Sequence, residues 1–186
     1  MAEQGQVKTD ELDAQAEARR QLALAQIRQY PDPVLRLKAQ DVQEFDDDLV
    51  QLVERMKRLM QDARGVGLAA NQVGVLRRVF VIQEAEDEEP RAIVNPMIVD
   101  RSEETEADDE GCLSMQGVVV GVERPVRVRI EARDEQGNAV ELELEELPAR
   151  VAQHELDHLD GVLILDRTTD EDRREALAVL RQAAAL

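Results

Sequence analysis

His154-Glu155-Leu156-Asp157-His158 holds the chain's two histidines, four residues apart. On a helix those positions share a face, so both imidazoles can point at one ion. Glu155 stands beside the first, where it can exchange protons with water at that ion. Two imidazoles do not complete a catalytic site, which usually takes three protein ligands and keeps one position open. Cys112 is the only cysteine and the obvious third ligand. A thiolate with two ring nitrogens suits Fe, Zn, Co or Ni, and Gly111 permits a close backbone turn beside it. The plainer alternative is a buried free cysteine acting as a small hydrophobe.

A third segment, Gly65-Val66-Gly67-Leu68-Ala69-Ala70-Asn71-Gln72, says less by itself. Its glycines would let an extended peptide pair with backbone groups. Gln72 is either a surface amide or a donor aimed at a substrate.

Hydrophobic spacing supplies the elements that must hold these residues. Leu49, Leu52, Val53, Met56, Leu59 and Met60 predict a helix starting at Asp46-Asp47-Asp48 and stopping near Gly65. Arg78–Ile82 and Ala92–Val94 read as strands, the second ended by Asn95-Pro96, with an acidic loop, 84–89, between them. The run 101–110 is rich in carboxylates and reads as a solvated loop. Val118–Val120, Val126–Ile130 and Val140–Leu144 read as strands, the last half-exposed by its alternation with glutamates. A helix starting near Pro148 carries His154 and His158 and is capped at Gly161. Val162–Leu165 reads as one more strand, and 169–186 as a final helix. Residues 1–24 are polar, Gln- and Ala-rich, and form an arm or a helical extension. Residues 25–186 then form a single domain of α+β class, antiparallel strands around the His154–His158 helix.

Composition narrows the partners. The 186 residues include only three aromatics, Tyr30, Phe45 and Phe80, so the core must be aliphatic. A formal charge of −18 disfavours a site that grips nucleic acid, DNA included, or an anionic membrane. One cysteine excludes an intrachain disulfide and favours a cytoplasmic location.

The three segments resemble the three signature motifs of peptide deformylases, GxGLAAxQ, EGCLS and HExDH, intact and in the family's order. Tyr30-Pro31-Asp32-Pro33-Val34-Leu35-Arg36, Arg78–Ile82, Val94-Asn95-Pro96 and Asp166-Arg167 extend the likeness over roughly residues 27 to 167. The resemblance implies hydrolysis of the formyl group from the N-terminal formyl-methionine of new polypeptides. Cys112, His154 and His158 would hold one divalent cation, physiologically Fe(II), with Zn, Ni or Co as substitutes. Glu155 would be the general acid and base, and Gln72 with the backbone N–H of Leu113 would hold the developing oxyanion. Gly65, Val66 and Gly67 would run along the peptide, with Glu110 and Gly111 opposite. Val66, Leu147, Arg150 and Val151 would receive the methionine side chain.

The chain departs from the family in a few places. Gln116 stands where Pro is usual, Glu146 where Gly is common, and Pro148 is less usual. Some members dock on the ribosome through a C-terminal helix. Here Asp170, Glu171, Asp172 and Glu175 stand against Arg173, Arg174 and Arg181, so only transient contact is expected, from a monomer. Two rivals remain. One is a zinc endopeptidase, which shares HExxH but usually takes its third ligand downstream, where this chain has no His or Cys. The other is a pseudo-enzyme that binds formylated peptides without turnover.

Overall fold

The computed structural model describes residues 2–85 and 87–183, with side chains described for 13–85 and 87–182. Met1, Glu86 and the end of the expected final helix, 184–186, lie outside the described residues. Helix α1 (Ala2–Leu24) takes up the N-terminal segment, and its last turn buries Ala23 and Leu24. Helix α2 (Asp47–Asp62) starts where the sequence places it. The Asp46 side chain accepts from the Leu49 N–H at 2.9 Å, and Asp47 and Asp48 meet the positive end of the helix. Its buried stripe is Leu49, Val53, Met56, Leu59 and Met60. It ends on Arg64, whose φ of +58° turns the chain left-handed.

Seven strands follow: β1 (Gly67–Ala69), β2 (Val79–Ile82), β3 (Arg91–Arg101), β4 (Thr105–Gly111), β5 (Val119–Pro125), β6 (Arg127–Arg133) and β7 (Ala139–Glu145). They build a five-stranded sheet in the order β1-β2-β3-β6-β7 and a separate β4-β5 pair. Every pairing between these strands is antiparallel. Helix α3 (Glu146–Leu159) lies between the two sheets, and helix α4 (Asp170–Ala183) closes the chain. Alternation in β2 explains the layering. Val79 and Val81 pack against α2, whereas Phe80 and Ile82 join Val151, Ala152, Leu156 and Leu159 of α3. A third aliphatic cluster joins Val120 and Val122 of β5 to Leu163, Ile164 and Leu165 and to Ala176 of α4. Burial on both faces makes α3 the rigid centre of an α+β fold. Among the described residues no helix is long and apolar enough to cross a membrane.

Three expectations need correction. Strand β3 does not end at Asn95-Pro96 but runs on to Arg101 through a register shift between Val94 and Met97. Asn95 takes φ +50°, which Asn tolerates, and Pro96 needs no ladder donor at a bulge. The carboxylate-rich run is not a loop: 105–111 is strand β4, paired along its length with β5. Val162–Leu165 is not a strand, since Ile164–Asp166 forms a 3-10 turn in which Asp166 reaches back to accept from the Leu163 N–H at 2.8 Å.

Candidate metal centre and peptide cleft

The helical spacing in α3 brings the His154 and His158 rings to a centroid separation of 4.9 Å, edge to face. Cys112 enters from the turn after β4, with its Sγ 3.3 Å from His158 Nε2. One ligand atom from each of Cys112, His154 and His158 lies within 4.8 Å of the others. Ligands ~2.0–2.3 Å from a tetrahedral ion stand about 3.5 Å apart, so the trio fits a transition-metal ion with small adjustments. His154 Nδ1 meets Glu110 Oε2 at 3.0 Å, which leaves Nε2 to face the cluster. Among the described residues, Glu155 Oε2 and His158 Nδ1 are buried without a partner. An orphaned carboxylate oxygen beside three convergent ligands is an arrangement that needs a further group to be satisfied.

Charge in this centre is steered by a buried network. Arg124 of β5 donates to both oxygens of Glu110, at 2.6 and 2.9 Å, and to Asp157 Oδ2 at 2.9 Å. Arg150 adds a bond to Glu110 Oε1 at 2.9 Å, and Arg167 holds Asp157 from outside at 2.6 Å. Burial opposes ionisation of Glu110, but the hydrogen bonds from Arg124 and His154 outweigh it and hold its pKa at about 2. Burial likewise opposes a charged His154, but hydrogen bonds with Cys112 and Glu110 raise its pKa well above the ordinary value. A cation held by Cys112, His154 and His158 would take the place of that proton. His158 is pushed well below the ordinary value by burial and by the charge of His154. Burial lifts Glu155 to about 7, where a carboxyl can both take and give a proton near neutrality.

Gln72 sits in a 3-10 turn, Ala70–Val73, just after β1. Its Oε1 accepts from the Ala69 N–H at 2.8 Å, which fixes the amide so that Nε2 points to Ser114 Oγ at 3.1 Å and Cys112 Sγ at 3.7 Å. The Leu113 N–H has no acceptor among the described residues, while its carbonyl accepts from Gln29 Nε2 at 2.9 Å. Gln29 also takes a bond from Gln116 Nε2 at 3.3 Å, so side chains hold this turn.

A cleft of about 450 Å³ opens over this centre. One wall is Gly65, Val66 and Gly67, leading into β1, the edge strand of the larger sheet. Glu110 and Gly111 of β4 border the cleft on the other side, Leu113 packs against Gly65, and Leu147, Arg150 and Val151 complete the lining. Gln72, Cys112, His154 and Glu155 reach the cleft, whereas His158 lies beneath it, 1% exposed. Gly67 is required for close approach, since a Cβ there would stand 2.5 Å from Glu155 Oε1. The structure therefore gathers every residue the sequence put forward. The sequence reading missed Arg124, Asp157, Ser114 and Gln29 as supports, and Arg20, Leu24 and Arg64 at the cleft mouth. One signal was available: Val120, Val122 and Arg124 alternate inward along β5, and an inward arginine needs a buried acid.

A buried helix presenting two histidines and an acid, joined by a thiol from the turn after β4, at a cleft bordered by a free sheet edge, defines a metallohydrolase-type α+β enzyme. The profile of the polypeptide deformylase family matches residues 24–174. The chain is 46% identical to the peptide deformylase of Clostridium botulinum over 148 residues, covering 80% of this chain and 99% of that one. It is 43% identical to peptide deformylase 1 of Corynebacterium glutamicum over 165 residues, 88% of this chain and 98% of that one. Among solved structures, the peptide deformylase of Legionella pneumophila superposes with a TM-score of 0.81 at 39% identity, covering 86% of this chain and 94% of that one. The Synechococcus elongatus enzyme in complex with actinonin gives 0.78 at 40%, covering 82% and 85%. The chain belongs to the polypeptide deformylase family, a family of metal-dependent hydrolases.

Proposed function

We propose that this protein removes the formyl group from the N-terminal formyl-methionine of newly made polypeptides, releasing formate. The observation that carries this reading is the convergence of Cys112, His154 and His158 beside Glu155 at the inner end of a peptide-sized cleft. The catalytic unit spans 25–186, and 1–24 is an extension of it. A cation held by Cys112, His154 and His158 supplies, when bound, Lewis acidity and an acidified water at neutral pH. The thiolate and two imidazoles accommodate Fe(II), Zn, Ni or Co alike, and membership of the family is what makes Fe(II) the native ion of this proposal.

The remaining steps belong to the chain's own groups. Glu155, whose buried Oε2 has no partner among the described residues, takes a proton from the attacking water and delivers one to the departing methionine nitrogen. Gln72 Nε2 and the Leu113 N–H donate to the formyl oxygen as charge develops on it. Gly65, Val66 and Gly67 pair with the peptide as an added strand, and Glu110-Gly111 borders its other side. Val66, Leu147, Val151 and the stem of Arg150 enclose the methionine side chain.

The protein works as a cytoplasmic monomer. Its ribosome contact is transient, because α4 mixes acids with arginines and the whole chain carries −18. The endopeptidase alternative loses support because Asp160 and Asp166, the acids available downstream, pair with Arg78 and Arg36.

The test is formate release from formyl-Met-Ala-Ser by anaerobically purified, iron-loaded protein. Metal-dependent release, lost in Glu155→Ala with metal retained, is expected. Peptide binding without release would identify a pseudo-enzyme, and cleavage of internal peptide bonds an endopeptidase. Cys112→Ala should lose most of its bound metal; unchanged metal content would mean another third ligand.

A further inference from the structure

The end of α1 is part of the cleft. Arg20 and Leu24 line it, together with Arg64 from the turn that ends α2. Neither arginine belongs to the motifs that build the metal centre. Both face the single carboxylate of Glu17, with Arg20 Nη1 at 3.3 Å and Arg64 Nη1 at 4.0 Å. One acid between two guanidiniums leaves this wall with a net positive charge. The other lining cation, Arg150, is buried and committed to Glu110 and to the backbone carbonyls of Val122 and Glu106. Asp109, on the β4 side, is the cleft's exposed acid. The two sides of the mouth therefore differ in sign, in a chain whose overall charge is −18.

Arg64 also occupies a left-handed backbone position, φ +58°, where glycine or asparagine is the usual helix terminator. Its place along the cleft gives the register. Gly67 lies against Glu155, so the reacting end of a peptide lies there. Arg64 is three residues back along the same wall. Residues 64–66 are turn and bend, so this spans less than the ~10 Å of three extended residues, and the arginine side chains cover the remainder to a peptide's third residue.

Resting on the deformylase reading above, we infer that Arg20 and Arg64 form an acid-reading subsite, selecting formyl-methionyl peptides with Asp or Glu at the third residue. Helix α1 thus acts as a specificity element as well as an extension of the fold. The arginines act on binding and are remote from the reacting atoms, so their effect falls on KM rather than kcat.

The experiment compares kcat and KM of the metal-loaded full chain on formyl-Met-Ala-Glu, formyl-Met-Ala-Ser and formyl-Met-Ala-Lys. All three are amidated at the C-terminus, which removes the terminal carboxylate. Exposed ion pairs predict a KM about two- to fivefold lower for Glu than for Lys. The Arg20→Glu/Arg64→Glu double variant should invert that order, and an Arg20→Lys/Arg64→Lys variant should keep it. In the wild type the preference should shrink at ~1 M salt, where the screening length falls to about 3 Å. This last measurement needs no variant to fold. Equal KM values for the three peptides in wild type, or a salt-independent difference, would overturn the subsite while leaving the deformylase reading intact. No formate from any of the three would overturn both.

Discussion

Arg124 grips both oxygens of Glu110, Nε to Oε1 at 2.6 Å and Nη2 to Oε2 at 2.9 Å, with each side chain only 5% exposed. The same carboxylate meets His154 Nδ1, and the same guanidinium reaches Asp157, which Arg167 holds from the far side. A line of alternating charge thus runs from Arg167 at the surface to the His154 imidazole. It fixes which ring nitrogen of His154 is free and in what direction it points.

Replacing Arg124 by Met keeps the bulk and removes the charge. Glu110 then retains only Arg150 and His154 as partners in a buried setting. Breaking one member of a buried pair costs about 3–5 kcal/mol, and the surviving Arg150 bond argues for the lower end. Metal affinity should also fall roughly 10–100-fold, because His154 loses its orienting support. Denaturant unfolding and chelator competition measure the two effects separately. Unchanged metal affinity in a destabilised variant would confine Arg124 to a structural role.

Gly67→Ala should damage turnover more than folding. The added Cβ would stand 2.5 Å from Glu155 Oε1 and 2.8 Å from Val151 Cγ1. Overpacking of this kind costs about 1–3 kcal/mol, and here the yielding atom belongs to Glu155, the proposed acid and base. A misplacement of ~1 Å at such a group can cost about 100-fold in rate. Wild-type kcat in Gly67→Ala would show that Glu155 can shift without consequence, and would weaken its assignment as the acid and base.

Much of this was legible before any coordinates, for identifiable reasons. Helices α2 and α3 announce themselves by 3.6-residue spacing, by Asp46 as a cap and by Gly161, whose φ of +74° supplies the left-handed stop. Strand β4 was hidden because it exposes nearly every side chain, and its strand character comes from pairing with β5. The β-branched look of Val162–Leu165 lost to Asp166, whose side chain ties the segment into a turn. The ligands share short motifs, but the supports do not. Arg124 reaches partners 14 and 33 residues away, a relation that no local pattern encodes.

Asp166 gives a pH dependence that stays clear of the metal centre. Burial raises its pKa, but hydrogen bonds from Arg36 and the Leu163 N–H outweigh this and hold it below the ordinary aspartate value. A depressed folded-state pKa stabilises above the unfolded value of ~3.9 and is lost as pH falls through the folded value. Asp166→Asn should therefore be less stable than wild type at pH 7, with the gap closing below about pH 4. Thermal unfolding from pH 7 to pH 2 measures this, and a gap that does not narrow as pH falls below the unfolded value would exclude the ionised carboxylate as its source.

Glu146 joins β7 to α3 with a φ of +54°, a backbone region that favours glycine. A Cβ in that conformation costs roughly 1–2 kcal/mol. Glycine would relieve it, at the expense of ~0.4–1 kcal/mol of extra freedom in the unfolded chain and of a few tenths from the lost charge at the start of α3. The hydrogen bond from the Glu146 N–H to the Val126 carbonyl, 2.9 Å, is a backbone bond and survives the change. Glu146→Gly should accordingly stabilise by about 0.5 kcal/mol, raising Tm by ~1–2 °C for a domain of this size. Glu146→Ala is the control, because it loses the same charge but keeps the Cβ, and it should show no gain. If alanine stabilised as much as glycine, the benefit would come from removing charge in an already acidic chain, and the backbone at this hinge would carry no strain.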